Sequence, residues 1–189
     1  MDLKWGTPES TQFITNVGLI STNGPYGDNI MACEWTHQVS YSPGMIAVAI
    51  GKNKTSEENI SASKVFGVSL CSEEQNVMAS IAGGSSGKEI NKMEALKELG
   101  YSFFKGDKTG VLLVKSAALQ VECKLKKKIK TGDHTLFIGE VVAIYPLEGA
   151  KPLAYHKTSY WRLGEKIAKP EKSEIDRIDA IVKKHKKQV

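Results

Sequence analysis

The chain has 189 residues, a formal net charge of +5, 41% hydrophobic residues and 25% charged residues, which is ordinary for a globular protein with one main core. No apolar run reaches the ~20 residues of a membrane-spanning helix, and the N-terminus lacks the basic start and apolar stretch of a signal peptide, so we expect no membrane association. Cys33, Cys71 and Cys123 are odd in number and widely spaced. This favours reduced thiols in a cytoplasmic protein over disulfides or a zinc site.

The first half of the chain consists of β-rich segments separated by turns rich in Gly, Pro and Asn. A first strand carries Val17 and Leu19, and the run from Asn23 to Asn29 that follows it has the composition of a turn. The apolar and β-branched content predicts strands over residues 12–22, 30–36, 45–50 and 65–71, and a helix over residues 56–63.

The second half begins with helical patterns and then becomes dominated by strands. Ser72 and Gln75 form a capping-box pattern at the start of a second helix, which Gly83 and Gly84 end. The remaining patterns predict a third helix over residues 89–99, strands over residues 112–129, 136–145 and 153–158, and a hairpin turn at residues 131–133.

A C-terminal appendage begins at Pro170, and Ser173 can cap a helix there. The apolar residues of this helix fall on one stripe: Ile175, Ile178, Ile181 and Val182. Such a helix either folds onto its own domain or packs as an arm on a second subunit, and the spacing does not choose between these. We therefore divide the chain into a domain over residues 1–165 and a helical extension over residues 166–189.

The order of the elements indicates the fold class. A doubly wound parallel sheet alternates strand and helix regularly, and it marks its phosphate-binding turn with glycines after a strand. Here the glycine-rich stretch, residues 83–87, follows a predicted helix instead. Consecutive strands with helices inserted between them predict a mainly β protein, a closed or partly closed antiparallel barrel with peripheral helices.

The segment from Ile50 to Asn59 carries the most informative chemistry. An apolar strand ends in a short loop holding Lys52, Lys54 and Thr55, and this loop opens directly onto a helix. A helix start presents unpaired N–H groups with partial positive charge, and lysine and threonine add further donors. This arrangement predicts a phosphate site for a nucleotide-like cofactor. The alternative is that Thr55 and Glu58 form a capping box and the lysines are only solvated.

Much of the positive charge lies in two clusters. The first, in a predicted strand, consists of Lys124, Lys126, Lys127, Lys128 and Lys130, and the second, in the C-terminal helix, of Lys183, Lys184, Lys186 and Lys187. Nucleic-acid binding is one interpretation. No aromatic side chains interleave with these lysines as base stacking requires, so we favour a solvated strand edge and a helix end that complements its dipole.

Several motifs together resemble one protein family. The most specific is the hairpin motif Gly132-Asp133-His134-Thr135-Leu136-Phe137-Ile138-Gly139-Glu140-Val141, and weaker similarity lies in residues 29–43, 45–59, 65–83 and 152–160. Over residues 12–165 the chain thereby resembles the flavin reductase-like family of FMN-binding split barrels, on the flavoredoxin side. Glu34, Ser69 and Ile81 depart from the family pattern. The resemblance implies an antiparallel Greek-key split β-barrel.

The resemblance also implies that the phosphate site holds FMN without a covalent bond. Lys52, Thr55 and the helix start would bind the phosphate. The residues expected to contact the rest of the flavin are Ala32, Cys33, Glu34, Trp35, Thr36, Ala49, Ile50, Gly51, Asn59, Ser85 and Ser86. His134, at the hairpin tip, is the candidate catalytic residue and would contact the nicotinamide of NADH or NADPH, or its phosphates. A homodimer is implied as well, and no residues are expected to bind a metal.

Several of these residues have a plain structural alternative. Trp35 could pack in the core instead of stacking on the flavin, and His134 could be a turn residue in contact with solvent only. The loop at Ser85 and Ser86 either closes over the flavin or merely connects two helices. Cys33 lies in the flavin-lining segment, although buried thiols are usually inert packing groups.

The resemblance favours an NAD(P)H-dependent flavin oxidoreductase, which takes a hydride onto bound FMN and passes electrons to free flavin, a ferric chelate or a partner protein. The alternative from another class is a non-enzymatic FMN-binding electron carrier without a nicotinamide site. A third possibility, a basic nucleic-acid-binding barrel, is disfavoured by the lysine pattern. The sequence neither identifies the acceptor nor chooses between NADH and NADPH.

Overall fold

The computed structural model describes residues 2–187. Within that range the strands are β1 (Thr15–Asn16), β2 (Gly18–Thr22), β3 (Asn29–Cys33), β4 (Thr36–Tyr41), β5 (Gly44–Gly51), β6 (Val65–Leu70), β7 (Phe103–Lys105), β8 (Leu112–Val114), β9 (Leu119–Thr131), β10 (His134–Pro146), β11 (Ala154–His156) and β12 (Ser159–Trp161). The α-helices are α1 (Thr55–Ser63), α2 (Asn76–Gly84), α3 (Lys92–Glu98) and α4 (Lys172–Lys184).

The main sheet has seven strands in the order β3-β2-β6-β9-β10-β5-β4, and all of its ladders are antiparallel. Its two edge strands, β3 and β4, are consecutive in the chain and joined through Glu34 and Trp35, so the sheet must curl round on itself. In this curl the Ala49 N–H of β5 donates to the Trp35 carbonyl at 3.0 Å, and the Cys33 thiol donates to the Ala49 carbonyl at 3.3 Å. The predicted class, mainly β and antiparallel with peripheral helices, is confirmed.

The long hairpin of β9 and β10 runs through the middle of this sheet and turns where the sequence predicts. A register shift interrupts its pairing between Ile138 and Gly139. A Cβ at Gly139 would lie 2.6 Å from the Phe66 ring, so only glycine lets this core side chain pack against the strand. The ladder between β10 and β5 pairs His134 with Gly51, which places the hairpin tip beside the end of β5.

Two apolar cores lie on the two faces of β2, because successive side chains of a strand point to opposite faces. Ile20 belongs to the core inside the curled sheet, together with Phe66 and Phe137. Leu19 belongs to the core that α2 and α3 cover, together with Met78. Burying a side chain of this size contributes about 1.5–3 kcal/mol, so the helices are held by the outer core more than by their own propensity.

The second and third helices are shorter than predicted. Helix α2 begins at Asn76 instead of Ser72, because the Ser72 N–H donates to the Gln75 side-chain oxygen at 3.0 Å and Ser72 joins a β-bridge. Helix α3 begins directly after Asn91, whose side chain accepts a hydrogen bond from the Glu94 N–H at 3.2 Å. In both cases a side-chain hydrogen bond sets the boundary.

Two predicted strands are each divided by a turn that a side chain holds. Residues 112–129 form β8 and most of β9, separated by a turn in which the Gln120 amide donates to two carbonyls, at 3.0 and 3.2 Å. The strand predicted over residues 30–36 is divided between the end of β3 and the start of β4, because the Thr36 hydroxyl donates to the Cys33 carbonyl at 3.0 Å and closes a turn between them.

The C-terminal helix α4 buries none of its residues within the described chain. Its apolar stripe is therefore exposed, with Ile175 at 43% and Val182 at 62%. No helix within residues 2–187 combines the length and the apolar character needed to cross a membrane.

Candidate functional site

The start of α1 carries a buried hydroxyl that nothing in the described chain satisfies. Lys54 is the N-cap residue and no side chain caps the helix, so the capping box considered as the alternative does not form. Thr55 is only 4% exposed, and its Oγ1 has no hydrogen-bond partner within residues 2–187. Leaving a buried polar group unpaired costs about 1–3 kcal/mol. Such an atom points to a ligand that would accept its hydrogen bond.

Thr55 lies in the wall of a small cavity of about 40 Å³. The lining residues come from β3, the start of α1, the end of α2, the loop after it and the start of α3: Asn29, Met31, Ala32, Lys54, Thr55, Ser56, Ala82, Gly83, Ser85, Ser86, Gly87 and Lys92. The fold thus brings the predicted residues Ala32, Thr55, Ser85 and Ser86 together. The cavity has room for a small anionic group and not for a ring system.

Lys92 contributes an ammonium group to this cavity. The residue is 3% exposed, and its Nζ donates to the Ala82 carbonyl at 2.9 Å and to the Ser85 carbonyl at 3.2 Å. Burial, with a smaller contribution from the charge of Lys54, lowers the pKa of Lys92 to about 8. A protonated lysine has three N–H donors, so one remains for a ligand. Lys92 is therefore still mainly cationic at neutral pH and suited to an anion.

The acidic residues in the first turn of α1 do not neutralise this cavity. Glu57 pairs with Lys128 at 3.3 Å. Glu58 pairs with Lys88 and accepts a hydrogen bond from the Tyr26 hydroxyl at 2.8 Å. Neither carboxylate lines the cavity, so the positive end of the helix dipole and two lysines dominate its electrostatics.

A second group of predicted residues lies at the tip of the β9–β10 hairpin. The rings of Trp35 and His134 contact each other, with centroids 4.5 Å apart and planes at 47°. His134 Nδ1 lies 2.7 Å from an Asp133 carboxylate oxygen, and this hydrogen bond lowers the pKa of Asp133. Burial raises the pKa of the neighbouring Glu34. Trp35 is 49% exposed and is therefore not a core residue, and His134 has protein contacts on two sides.

Lys52 and Lys54 belong to different parts of the site. Lys52 is exposed, its N–H donates to the Asp133 carbonyl at 3.2 Å, and it does not line the cavity. Lys54 lines the cavity, and its side chain passes Gly51, whose Cβ position would lie 3.8 Å from both Lys54 Cε and His134 Nε2. Lys54 therefore connects the cavity with the hairpin tip.

Four predicted residues have side chains that the fold itself uses. Cys33 and Ile50 are buried in the core of the curled sheet, and burial raises the pKa of the Cys33 thiol. The Thr36 hydroxyl closes the turn between β3 and β4. Asn59 is fully buried, and its amide group bonds to three partners within the chain. These side chains hold the walls of the site in place.

Lys54 and Lys92 are the two cationic residues of the cavity, and neither was among the predicted flavin contacts. A signal for Lys92 exists, because it lies beside Met93 and before Leu96 on the buried side of a short helix. A lysine in such a position needs a partner or a function, since lysines are rarely buried. The β-strand position of Asn29 carries no comparable signal.

The cysteines are free and buried in the structure. Burial raises the pKa of Cys71 and of Cys123 to about 12, so neither forms a thiolate at neutral pH. Among residues 2–187, no three His, Cys, Asp or Glu side chains are grouped so as to hold a metal ion.

Comparison with known proteins relates this chain to a family. The flavin reductase like domain matches residues 10–164. An uncharacterised protein of Archaeoglobus fulgidus is 33% identical over 116 residues, which are 61% of this chain and 64% of that protein's length. Another protein of that organism, named ferric-chelate reductase (NAD(P)H), is 34% identical over 121 residues, covering 62% of this chain and 68% of its own length.

Among solved structures, flavoredoxin of Desulfovibrio vulgaris (Miyazaki F) matches 92% of this chain and 100% of its own, with a TM-score of 0.75 and 24% identity. At that identity the likeness shows the fold alone. The domain match, in contrast, covers most of the chain, including both groups of site residues. The chain therefore belongs to the flavin reductase-like family.

Proposed function

We propose that this protein binds FMN without a covalent bond and reduces it with NADH or NADPH. The observation that carries the proposal is the unpaired Thr55 hydroxyl, in a cavity that Lys54, Lys92 and the start of α1 also line. A phosphate monoester offers about two negative charges and three acceptor oxygens. It therefore satisfies this set of donors as a neutral ligand would not.

The donors present suffice for useful affinity. A hydrogen bond to a charged group contributes about 1.5–3 kcal/mol. Two or three such bonds supply much of the roughly 8 kcal/mol that a micromolar Kd represents. Burial of part of the flavin ring adds about 25 cal/mol per Å². The small cavity thus serves as the anchor for one end of an extended ligand.

The rest of the flavin would extend from the cavity toward the hairpin tip. Ala32, Ala49 and Gly51 are half-buried residues with small or no side chains that connect the two groups. They leave the backbone near the ligand, where N–H and carbonyl groups can contact the ring edges. When bound, FMN supplies the hydride-accepting chemistry.

Trp35 and His134 would hold the nicotinamide against the flavin. Both are ring systems and already pack together, and the bond from His134 Nδ1 to Asp133 sets the orientation of the imidazole. Their role is to orient the two reacting rings and to exclude water. Hydride transfer requires little proton transfer from the protein, so positioning is sufficient.

The electron acceptor is proposed from charge and from the family. Lys52 and Lys130 lie beside the hairpin tip, and the chain has a net charge of +5, which favours an anionic acceptor. The relative named ferric-chelate reductase (NAD(P)H) supports a ferric chelate. Free flavin and a partner protein are the other acceptors to test.

An anaerobic titration tests the proposed function. The FMN-loaded protein should lose its flavin absorbance when NADH or NADPH is added, and should regain it when ferric citrate or excess free FMN follows. If neither nucleotide bleaches bound FMN, the protein is instead an electron carrier that a partner reduces. Failure to bind FMN at all would contradict both functions and would reopen the nucleic-acid interpretation.

We also propose that the protein is a homodimer, as the family resemblance implies. Large apolar side chains remain exposed in the single chain, among them Trp5 at 69%, Phe13 at 65% and Trp161 at 51%. Phe13 and Trp161 lie near each other, since the His156 ring bonds to the Phe13 carbonyl and the His156 backbone carbonyl accepts from the Trp161 indole N–H. Grouped apolar side chains of this kind mark protein interfaces.

A further inference from the structure

The outer wall of the phosphate cavity is a short segment, Ser86 to Lys88, which we term the strap. A Cβ at Gly87 would clash with the Asn29 side chain and lie 3.1 Å from Thr55 Oγ1. The strap backbone therefore rests directly on residues that line the cavity. Gly87 also lies in the wall of a second, outer cavity, so the strap separates the two.

The two cavities differ in size and in lining. The inner one measures about 40 Å³ and the outer one about 350 Å³. Sites for small organic ligands begin at about 300 Å³, so the inner cavity suits a phosphate and the outer one suits a nucleoside. In the outer wall, Tyr26 offers an aromatic face and Asp28 offers a carboxylate to ribose hydroxyls.

Three side chains hold the strap closed, and we term them the latch: Lys88, Glu58 and Tyr26. The Lys88 ammonium pairs with the Glu58 carboxylate and lies 5.2 Å from the centroid of the Tyr26 ring. The Tyr26 hydroxyl donates to the second Glu58 oxygen at 2.8 Å. The latch therefore ties the strap both to α1 and to the turn before β3.

We propose that the latch makes the site selective for FMN over FAD, an inference that rests on the proposed function. FMN ends at its phosphate and fits behind the closed strap. In FAD a second phosphate and an adenosine continue from that point, and they reach the outer cavity only if Gly87 moves and the latch opens. FAD binding therefore requires the free energy of opening the latch, whereas FMN binding does not.

The test compares FMN, FAD and riboflavin binding by isothermal titration calorimetry. Lys88→Ala and Glu58→Gln break the latch, whereas Lys88→Arg keeps its charge. Lys126→Ala is the matched control, because Lys126 also forms an exposed ion pair, with Glu140 at 2.6 Å, and lines neither cavity. Thermal unfolding of each variant verifies that it is folded.

We expect the wild type to bind FMN at least about tenfold more tightly than FAD, and each latch-breaking variant to lower this ratio about fivefold, mainly by tighter FAD binding. Lys88→Arg and Lys126→Ala should keep the ratio. Equal wild-type affinities, an unchanged ratio in both latch-breaking variants, or an equal fall in Lys126→Ala would overturn the latch. Riboflavin binding as tight as that of FMN would overturn the phosphate site itself, and with it the proposed function.

Discussion

At the scale of single residues, the site consists of polar groups that burial makes unfavourable in the free protein. The Thr55 hydroxyl is buried and has no partner in the described part of the chain, and Lys92 is a buried ammonium group whose pKa is lowered to about 8. One bound phosphate would satisfy both, because it would accept from the hydroxyl and stabilise the positive charge. Removing the Thr55 hydroxyl should therefore stabilise the free protein and weaken its affinity for FMN.

We expect Thr55→Val to weaken FMN binding without destabilising the free protein. Valine keeps the shape of threonine and removes a buried polar atom that has no partner. The Kd for FMN should rise at least about tenfold, since the lost bond contributes about 1.5–3 kcal/mol. The Kd for riboflavin should stay unchanged. Calorimetric titration and thermal unfolding measure these effects.

The control for Thr55→Val is Ser63→Ala at the other end of the same helix, where the hydroxyl donates to the Asn59 carbonyl. It should leave both flavin affinities as they are. A Thr55→Val protein that retains wild-type FMN affinity would show that the phosphate binds elsewhere.

FMN binding should weaken as the pH rises through about 8, where Lys92 loses its proton in the free protein. Bound phosphate stabilises the ammonium form, so the pKa of Lys92 is higher in the complex and binding takes up a proton between the two values. In that window Kd should rise by up to about tenfold per pH unit. Lys92→Met should bind more weakly and lack this dependence, and identical pH profiles would contradict the role of Lys92.

Lys92 also makes the stability of the free protein depend on pH, in the direction opposite to its effect on FMN binding. The unfolded chain keeps the proton up to about pH 10.5, whereas the folded chain loses it at about pH 8. Between these values the unfolded state binds more protons, so the contribution of Lys92 to stability increases with pH. Chemical unfolding of the wild type and of Lys92→Met over this range measures the difference.

At the scale of elements, the order of strands brings the two groups of site residues together. The β5–β10 ladder places His134 beside Gly51, and α1 begins four residues after β5 ends. Trp35 arrives from the connection between the two edge strands because the sheet curls. The hairpin tip is therefore held on one side by strand pairing with β5 and on the other by the contact between the His134 and Trp35 rings. This rigidity suits a role in positioning the nicotinamide.

We expect His134→Ala to slow reduction of bound FMN by NADH or NADPH about ten- to hundredfold, because misplacing a reacting ring has effects of that size. The Kd for FMN should change little, since His134 does not line the phosphate cavity. Anaerobic stopped-flow absorbance gives the rate constant. His37→Ala, an exposed histidine on β4, is the control. Loss of FMN with normal reduction of the remaining loaded protein would disprove the assigned role.

At the scale of the whole molecule, the single chain leaves apolar surface uncovered in α4 and around Trp161. Its charged residues include the pair of Arg177 with Glu174 at 3.2 Å and the lysines of the last turn, whereas none of its apolar side chains is buried within residues 2–187. Since no residue of α4 is buried against residues 2–187, we favour the arm on a second subunit over a helix folded onto its own domain.

We expect Ile178→Ser combined with Ile181→Ser to weaken the dimer at least about tenfold, because each change removes apolar area from the contact. Sedimentation velocity over a concentration series measures the dissociation constant. Asp176→Ser, away from the apolar stripe by helical spacing, is the control. A double variant with wild-type mass at every concentration would show that α4 does not contribute to the dimer.

Much of this molecule could be predicted from local sequence patterns. These patterns depend only on neighbours in the chain. Apolar alternation predicted strands, Gly132 predicted a hairpin turn, and the loop before α1 predicted a helix start, and the structure has each of these elements. The predictions that were wrong concern boundaries. The Gln120 and Thr36 side chains divide segments predicted as single strands, because their hydrogen bonds go to carbonyls that spacing does not reveal.

Local patterns were enough to predict the fold class, the family resemblance and a helix start rich in donors. The contacts that close Lys92 and the strap over that helix start, and the contact between Trp35 and His134, arise from the three-dimensional fold. The physical reason is that local patterns determine which groups are buried, whereas the strand order and the curl of the sheet determine which buried groups face one another.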